Sequence, residues 1–392
     1  MAKRYKGIKQ RRSAKFRSSK FEPILYVSLI LAGAAAAVLL TIFIIIPFVS
    51  DLFAPLPTVR YSPSSFKDSV EVEKAPQKTD DLSYLQQEAK ISYATINDPY
   101  MYGDEIVFST ASIVDGVSVF DNLIVYNAKD GQEQRIDVDV DYENLIGFVM
   151  NEDYIVWCDA DSPNGGRIYG YDRKNKQQFM IKDYVYAAPE ITMSGNIICF
   201  MQQAGNSLDR LYLYDLESRE ALSYKVFSEL GAIPSSADLY ENTLVYAIPY
   251  SDAEYAIYVT DIRTGEERSI ETGKYVSSPK SNGKDIAYLS STGGARTDLY
   301  IVEDAGSILI DSEVTNFDMC DAGIVYTKDE ALYIYQTQTK QSKRINSDVS
   351  RAYLAEACGN SILWYDITGG YNDSADIVKY AKVDNINGET DN

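Results

Sequence analysis

The chain has no histidine. This excludes Ser-His-Asp and Cys-His catalysis and any zinc site that needs imidazole. It also removes the side chain that most often acts as a general base near neutral pH. Cysteine is scarce as well, and Cys158, Cys199, Cys320 and Cys358 do not have the spacing of a metal site. We expect buried free thiols, with a disulfide as the alternative in an oxidising compartment.

Basic residues are scarce outside the first 20 positions. The chain has 37 Lys and Arg against 57 Asp and Glu, and nine of the basic residues lie within residues 1–20. The rest of the chain therefore has 28 basic against 57 acidic residues, a net charge of −29. Because nucleic-acid binding needs a basic surface, we expect no nucleic-acid partner. Solubility is the simplest role of the acidic charge.

One long apolar run lies near the N-terminus. Residues 24–49 carry no charge, and about 20 apolar residues are enough to span a bilayer. The run exceeds the apolar region of a cleaved signal peptide, which is about 7–15 residues long. We therefore predict a transmembrane helix over 23–49, after a basic cytoplasmic tail (1–22) and before a Pro-containing stalk (50–82). The basic flank places the N-terminus in the cytoplasm and the C-terminal domain outside the cell membrane.

Helical periodicity is scarce from residue 83 onward, and one short strand recurs seven times. Its first residue is Ile or Leu, and its third is aromatic in every copy except the one that ends at Cys199. The copies are IVF (106–108), IVW (155–157), IIC (197–199), LVY (244–246), IAY (286–288), IVY (324–326) and ILW (362–364). The steps from Ile106 to Ile362 average about 43 residues, which is typical of propeller blades.

A second, aromatic strand follows each copy, as in IYGYD (168–172), LYLYD (211–215) and LYIYQ (332–336). A third, more polar strand closes most repeats. We interpret the aromatic strand as the third of four strands in a blade, with its rings packed between neighbouring blades. The sequence thus predicts an all-β, seven-bladed β-propeller after one transmembrane helix. Six or eight blades are the alternatives if one copy is degenerate.

The seventh copy has too little chain for its outer strand. Residues 83–92 precede the first copy and are free to supply this strand. That pairing would join the two ends of the domain and remove an exposed sheet edge. We therefore predict a propeller domain over 83–384 and a disordered tail over 385–392.

The repeat resembles the TolB-like, PD40-type (WD40-like) propeller repeat. In the fifth copy, the matching residues are Ser278-Pro279, Gly283, Ile286-Ala287-Tyr288 and Leu299-Tyr300. The resemblance covers roughly residues 90–384 and implies the fold, but no particular ligand. Lys280 stands where the repeat usually has an aspartate, and an N-terminal domain like that of TolB is not visible. The role of TolB in an outer-membrane complex is therefore not carried over.

Long segments join second to third strands on the face that also carries the blade-to-blade connections. They are residues 109–122, 159–167, 248–256 and 366–376. Insertions on one face of a repeat protein often form its binding face. Tyr250, Asp252, Tyr371 and Asp373 lie in the middle of these loops and are the candidate binding residues. The alternative is that the loops are tolerated surface insertions.

Three further constellations have a structural explanation beside the chemical one. Asp159, Asp161 and Asn164 offer oxygen ligands for calcium, but the full calcium-binding loop is absent and an Asx-type turn explains them. The carboxylates of Asp137, Asp139 and Asp141 would share one strand face, either as a glycan-cleaving pair or as charges that protect a sheet edge. Arg167, Arg210 and Arg296 lie near loop ends, but the Asp-box repeat of sialidases is missing. We predict no metal site, no catalytic residue and no cofactor.

The sequence therefore predicts a membrane-anchored, extracytoplasmic propeller that acts as a binding or scaffolding module at the cell envelope. Its partner would be a protein or a cell-wall glycan. The lack of histidine and of a catalytic constellation argues against an enzyme. Two alternatives stay open: a carboxylate-dependent glycan hydrolase or lyase, and an envelope sensor that signals through a membrane partner.

Overall fold

A computed structural model of the protein describes residues 82–161, 164–202, 210–227, 235–250, 254–272, 274–291, 297–303, 306–369 and 376–383. The predicted tail (1–22), transmembrane segment (23–49), C-terminal tail (385–392) and all of the predicted stalk (50–82) except Leu82 lie outside these residues. Within them, no helix has the length and apolar character needed to cross a membrane.

The described residues form seven four-stranded antiparallel sheets, each of which is one blade. A short 3₁₀ helix (Ser83–Leu85) and β1 (Gln87–Glu88) come first. Blade 1 contains β2 (Ile96–Tyr102), β3 (Glu105–Val114), β4 (Val117–Asn127) and β5 (Glu133–Ile136). Blade 2 contains β6 (Leu145–Met150), β7 (Tyr154–Asp161), β8 (Gly165–Asp172) and β9 (Gln177–Tyr184). Blade 3 contains β10 (Ile191–Ser194), β11 (Ile197–Gln202), β12 (Arg210–Asp215) and β13 (Glu220–Val226).

The remaining blades follow in chain order. Blade 4 contains β14 (Asp238–Tyr240), β15 (Thr243–Pro249), β16 (Tyr255–Asp261) and β17 (Glu267–Glu271). Blade 5 contains β18 (Ser277–Ser281), β19 (Ile286–Ser291), β20 (Thr297–Glu303) and β21 (Gly306–Ser312). Blade 6 contains β22 (Asn316–Cys320), β23 (Gly323–Lys328), β24 (Ala331–Gln336) and β25 (Gln341–Arg344). Blade 7 contains β26 (Ala352–Cys358), β27 (Ser361–Asp366), β28 (Ile377–Lys382) and, as its outer strand, β1. The predicted count of seven blades is confirmed.

The N-terminal strand closes the ring as predicted from residues 83–92. Gln87 pairs with Tyr380 and Glu88 with Lys379, so β1 completes blade 7. Just before it, the Leu82 N–H donates to the Arg344 carbonyl of β25 at 2.7 Å. Leu82 is buried in the cluster between blades 6 and 7. Residues from both ends of the domain thus share one sheet.

Aromatic rings fill the space between blades. In five blades, the third-strand aromatic stacks on the aromatic residue at the third position of the recurring triplet, with centroids 5.3 to 6.0 Å apart. The pairs are Trp157–Tyr169, Phe200–Tyr212, Tyr246–Tyr258, Tyr288–Tyr300 and Tyr326–Tyr333. Each ring pair packs against the preceding blade, as Tyr246 and Tyr258 do against Cys199 and Leu213. The predicted position of the aromatic strand is confirmed.

The structure corrects the register of the third copy. Phe200, rather than Cys199, occupies the aromatic position, because Phe200 is buried and stacks on Tyr212. The triplet is therefore Ile198-Cys199-Phe200, and the aromatic position is filled in all seven blades. The sequence is ambiguous here because Ile197 and Ile198 are both apolar.

Residues 109–122, which we predicted as a loop, form a long hairpin instead. Strand β3 runs to Val114 and β4 begins at Val117. Asp115 and Gly116 between them have φ of 51° and 82°, as in a type I′ turn, which requires positive φ at both central residues. An Asp-Gly pair between alternating residues is a strong hairpin signal.

The structure also corrects the position of three predicted carboxylates. Strand β5 ends at Ile136, so Asp137, Asp139 and Asp141 lie after the strand and not on its face.

Deleting residues 83–92 should open the ring. The deletion removes β1 and the buried Ala89, and it leaves the edge of β28 unpaired. We expect the free energy of unfolding to fall by at least about 3 kcal/mol, as for the loss of a large buried side chain. The melting temperature of the isolated domain measures this loss, with deletion of 385–392 as the control. Equal effects of the two deletions would show that β1 does not close the ring.

Candidate functional sites

The first strands of the seven blades surround a central channel with a cavity of about 670 Å³. One residue of each first strand opposes the middle residue of the recurring triplet. These seven residues are Tyr100, Val149, Thr192, Asp238, Lys280, Asp318 and Glu356, and all of them line the cavity. Charged residues thus occupy this position in blades 4 to 7, and neutral residues occupy it in blades 1 to 3.

Two further carboxylates, Asp98 and Glu190, also line the cavity. Asp98 lies at a β-bulge in β2 and has a φ of 53°. Similar bulges interrupt β6, β18 and β26. A bulge re-aims the side chains around it and is common beside functional sites. Among the described residues that line the cavity, Lys280 is the single lysine, and seven carboxylates accompany it: Asp98, Glu190, Asp238, Glu241, Asp318, Asp321 and Glu356.

Lys280 connects several blades through its ammonium group. Its Nζ lies 3.0 Å from Asp318 Oδ1 and 3.4 Å from Glu190 Oε1, and 17% of its side chain is exposed. Burial disfavours the charged form of Lys280, but the carboxylates of Asp318, Glu190 and Asp238 outweigh it and hold the lysine pKa well above its usual value. The lysine therefore stays charged and partly neutralises the channel.

The channel carboxylates also join neighbouring blades. Asp238 Oδ2 accepts the Ser281 N–H at 2.8 Å, and Asp318 Oδ2 accepts the Ala357 N–H at 2.8 Å. Asp98 accepts the Gly147 N–H in the same way. Each of these contacts crosses from one blade to the next. These three carboxylates therefore hold neighbouring blades together as well as lining the channel.

Two of the channel carboxyl groups have raised pKa values. Burial raises the pKa of Asp238 to about 6, and Lys280 and the Ser281 N–H limit the increase. Burial, together with the charges of Asp98 and Asp318, raises the pKa of Glu356 well above its usual value. Unlike Asp318, Glu356 has no cation next to it within ion-pair distance among the contacts that the structure describes. Its neutral form is therefore favoured.

One end of the channel lies at a face of the propeller that is formed by strand turns. Gly195, Glu241, Asp321 and Gly359 line the cavity, and they lie in turns between first and second strands. We call this face the turn face. The opposite face carries the loops between second and third strands and the blade-to-blade connections, and we call it the loop face. Because carboxylates dominate the channel, a negatively charged ligand would be repelled from the turn-face opening.

Exposed apolar side chains lie mainly on the loop face. Of the 14 large apolar residues that are exposed in the described part of the chain, twelve lie in its loops, its connections or the strand ends that meet it. They are Ile113, Val114, Val117, Tyr142, Val185, Tyr186, Tyr250, Tyr275, Val349, Tyr353, Leu354 and Ile377. The other two, Tyr84 and Met180, belong to the helix before β1 and to β9. In the described parts of the turn face, no large apolar residue is exposed.

Of the predicted binding residues, the structure describes one. Tyr250 follows β15 on the loop face, is 43% exposed, and donates its N–H to the Glu254 carbonyl at 3.0 Å. Asp252, Tyr371 and Asp373 lie outside the described residues. The structure therefore places Tyr250 on the predicted face without testing whether the four residues meet.

The weak metal candidate Asp159 has a structural role. It is fully buried and accepts the N–H groups of Asp141, Tyr142 and Asn144 at 2.5, 3.0 and 3.4 Å. The Asn164 N–H donates to the Asp161 carbonyl at 2.5 Å. Across the described residues, no three Cys, Asp or Glu side chains are grouped as a metal site.

Arg167 is engaged within the protein. Its guanidinium pairs with Asp141 at 2.9 Å and with Asp183 at 3.0 Å. A hydrogen bond from the Tyr169 hydroxyl and the contact with Arg167 lower the pKa of Asp141. Asp141 is therefore ionised and does not suit the role of a general acid. Arg167 is already paired with Asp141 and Asp183, so its guanidinium is not free to bind the carboxylate of a ligand.

Replacing Glu356 by Gln should stabilise the propeller at neutral pH. The folded pKa values of Asp238 and Glu356 are raised above the unfolded value of about 4. The stability that their neutral forms allow is therefore complete below about pH 4, and it is lost as pH rises through about 6 for Asp238 and through the raised pKa of Glu356. We expect Glu356→Gln to raise the melting temperature by about 2 °C or more at pH 7.5, with a smaller gain toward pH 5.

Lys280→Met is the matched comparison, because it removes the one cation of the channel. It should lower the free energy of unfolding by roughly 3 kcal/mol, near the low end for a broken buried ion pair. Melting curves between about pH 5 and pH 8 measure both variants. A Glu356→Gln protein that melts at or below the wild-type temperature throughout this range would contradict the assigned environment of Glu356.

Known structures are similar to this fold at low sequence identity. The β-propeller domain of the Trilobed protease from Pyrococcus furiosus is 14% identical with a TM-score of 0.56, over 70% of this chain and 92% of that domain. An oligogalacturonate lyase from Vibrio parahaemolyticus is 12% identical with a TM-score of 0.53, over 80% of this chain and 98% of the lyase. An acylaminoacyl peptidase from Pyrococcus horikoshii is 13% identical with a TM-score of 0.53, over 78% of this chain and 54% of the peptidase. The chain thus spans about half the length of that peptidase.

These likenesses show the fold alone, since all three are below 25% identity. TolB from Acinetobacter baumannii is also similar, with a TM-score of 0.42 and 13% identity, which is too weak to carry an argument about function. No known protein family matches the sequence, and no curated protein matches it. The seven-bladed propeller that the TolB-like repeat implied is confirmed as a fold.

Proposed function

We propose that the protein is a membrane-anchored binding module at the cell envelope and that its loop face holds a protein partner. The observation that carries this proposal is the concentration of exposed apolar residues on the loop face. Five of them are tyrosines, at positions 142, 186, 250, 275 and 353. Tyrosine is enriched at protein interfaces, where it supplies contact area at low entropic cost.

A glycan hydrolase or lyase is the second candidate, and the central channel is the feature that favours it. Two carboxyl groups are the usual acid and base of glycan cleavage, and Asp238 and Asp318 line one cavity. An acidic channel would repel acidic glycans, so the substrate would be neutral. The inter-blade hydrogen bonds of Asp238 and Asp318 support a structural role instead.

The membrane arrangement gives a direct test of orientation. If residues 23–49 span the membrane with the N-terminus inside, protease added to intact cells should degrade the propeller and leave the anchor with its basic tail. Immunoblotting with antibodies against each end measures the products. A propeller that survives while a control extracytoplasmic protein is degraded would overturn the proposed orientation.

The predicted loop residues give the test of binding. Replacing Tyr250, Asp252, Tyr371 and Asp373 together by alanine should weaken capture of membrane partners about 30-fold or more, which corresponds to about 2 kcal/mol. The melting temperature should stay near that of the wild type, because the sequence predicts all four positions in the middle of loops. Quantitative pull-down from solubilised membranes measures the loss, and Met180→Ala is the control for an exposed apolar residue off the loop face.

Retained partners in the quadruple variant would place the interface elsewhere. Cleavage of a neutral polysaccharide by the purified domain would favour the enzyme, provided that Asp238→Asn abolishes it at unchanged melting temperature. The same assay with Asp137 and Asp139 replaced tests the strand-face pair considered from the sequence.

A further inference from the structure

The part of the loop face formed by blades 1 and 2 combines apolar residues with an excess of negative charge. We call it the blade 1–2 sector. It comprises the hairpin tip (113–117), the connection between β5 and β6 (137–144), the end of β7 with the start of β8, and the connection from Asp183 to Tyr186. Its exposed apolar residues are Ile113, Val114, Val117, Tyr142, Val185 and Tyr186.

The hairpin projects beyond the rest of blade 1. Strand β2 pairs with β3 only as far as Thr110, and β5 pairs with β4 only from Leu123 onward. The tip is therefore a two-stranded arm, on which Ile113 is 72% and Val117 is 61% exposed. Solvation of such residues is unfavourable, so their burial by a partner would contribute to binding.

The arm rests on a connection that is held in place. The Phe120 N–H donates to the Glu143 carbonyl at 3.0 Å, which ties β4 to the connection. Buried Asp159 accepts the backbone N–H groups of Asp141, Tyr142 and Asn144. The Arg167 guanidinium lies 5.8 Å from the centre of the Tyr142 ring. A surface fixed in this way loses little entropy on binding.

The charge of the sector selects the chemistry of its partner. Seven of its acidic residues are exposed, namely Asp115, Asp137, Asp139, Asp141, Glu143, Asp161 and Asp183. The only basic residue in segments 109–122, 137–144, 159–167 and 183–190 is Arg167, which is already paired with Asp141 and Asp183. Anionic lipid and acidic glycan would be repelled, whereas a positively charged protein surface would be attracted.

We propose that the blade 1–2 sector binds a protein segment in which apolar residues are flanked by Lys and Arg. This inference rests on the proposed role of the loop face in binding and names the partner's chemistry. The apolar residues of the segment cover the hairpin arm and Tyr142, and its basic residues meet the surrounding carboxylates. Burial gives most of the affinity, and the charges give the specificity and the speed of association.

The test uses two defined peptides with the purified propeller domain (83–384). One is a helical Leu/Lys peptide, and the other has the same apolar residues with Glu in place of Lys. Titration calorimetry should show binding of the Lys peptide alone, weakening as salt is raised. Vesicles of phosphatidylserine should not bind. No binding of the Lys peptide, or binding of the Glu peptide or of the vesicles, would overturn the proposal.

Matched variants locate the site. Two double variants should each weaken binding of the Lys peptide about tenfold or more. One is Ile113→Ser with Val117→Ser, and the other is Asp139→Lys with Glu143→Lys. The controls are Met180→Ser for apolar exposure and Glu152→Lys with Glu217→Lys for an equal charge change on the turn face, and both should bind within about twofold of the wild type.

If the sector and control variants weaken binding of the Lys peptide equally, the peptide is attracted by the overall negative charge. That result would overturn the proposal that the blade 1–2 sector is the binding site. The outcome is separable from the wider proposal. If the sector variants bind the Lys peptide normally while the quadruple alanine variant still loses its membrane partners, the loop face binds by another part and the proposed function stands.

Discussion

Stacking between the second and third strands is the interaction on which the propeller depends. Each stacked pair contributes about 0.5–1.5 kcal/mol beyond the area that it buries, and five blades contain one. The paired rings also form the surface against which the preceding blade packs, as in the cluster that joins Tyr288 and Tyr300 to Val245 and Ile257. The same contact therefore stabilises a blade internally and sets its spacing from the neighbouring blade.

Because the rings supply much of the packing between blades, the channel-lining positions of the first strands can vary. Their equivalent positions range from Val149 to Lys280 and Glu356 without disturbing the ring. Burial of several carboxylates around one channel nevertheless costs stability. Lys280 and the backbone N–H groups of Ser281 and Ala357 offset part of that cost. Among the described contacts, Glu356 has no such partner, and burial raises its pKa well above the usual value.

The repeat made the fold predictable, whereas the sites were only partly so. A buried aromatic position that recurs in every blade can be recognised in the sequence. The missing outer strand of the seventh repeat, which β1 supplies, can be recognised there too. The channel was not visible, because the equivalent residues that converge there range from valine to lysine and glutamate and no periodic pattern marks them. The hairpin was missed although Asp115-Gly116 signalled its turn. The role of Asp159 could not be read, since its three N–H donors lie 15–18 residues earlier in the chain.

The two faces of the ring differ because different connections form them. Short turns between first and second strands leave little room for apolar residues and surround the acidic channel opening. Longer connections on the loop face carry exposed tyrosine and aliphatic side chains, and buried polar groups hold several of them. Asp159 fixes the connection that presents Tyr142, and Asp366, which pairs with Lys379, accepts the Ser350 hydroxyl beside Val349. Buried carboxylates thus fix exposed side chains in position, and a fixed apolar surface loses little entropy when it binds a partner.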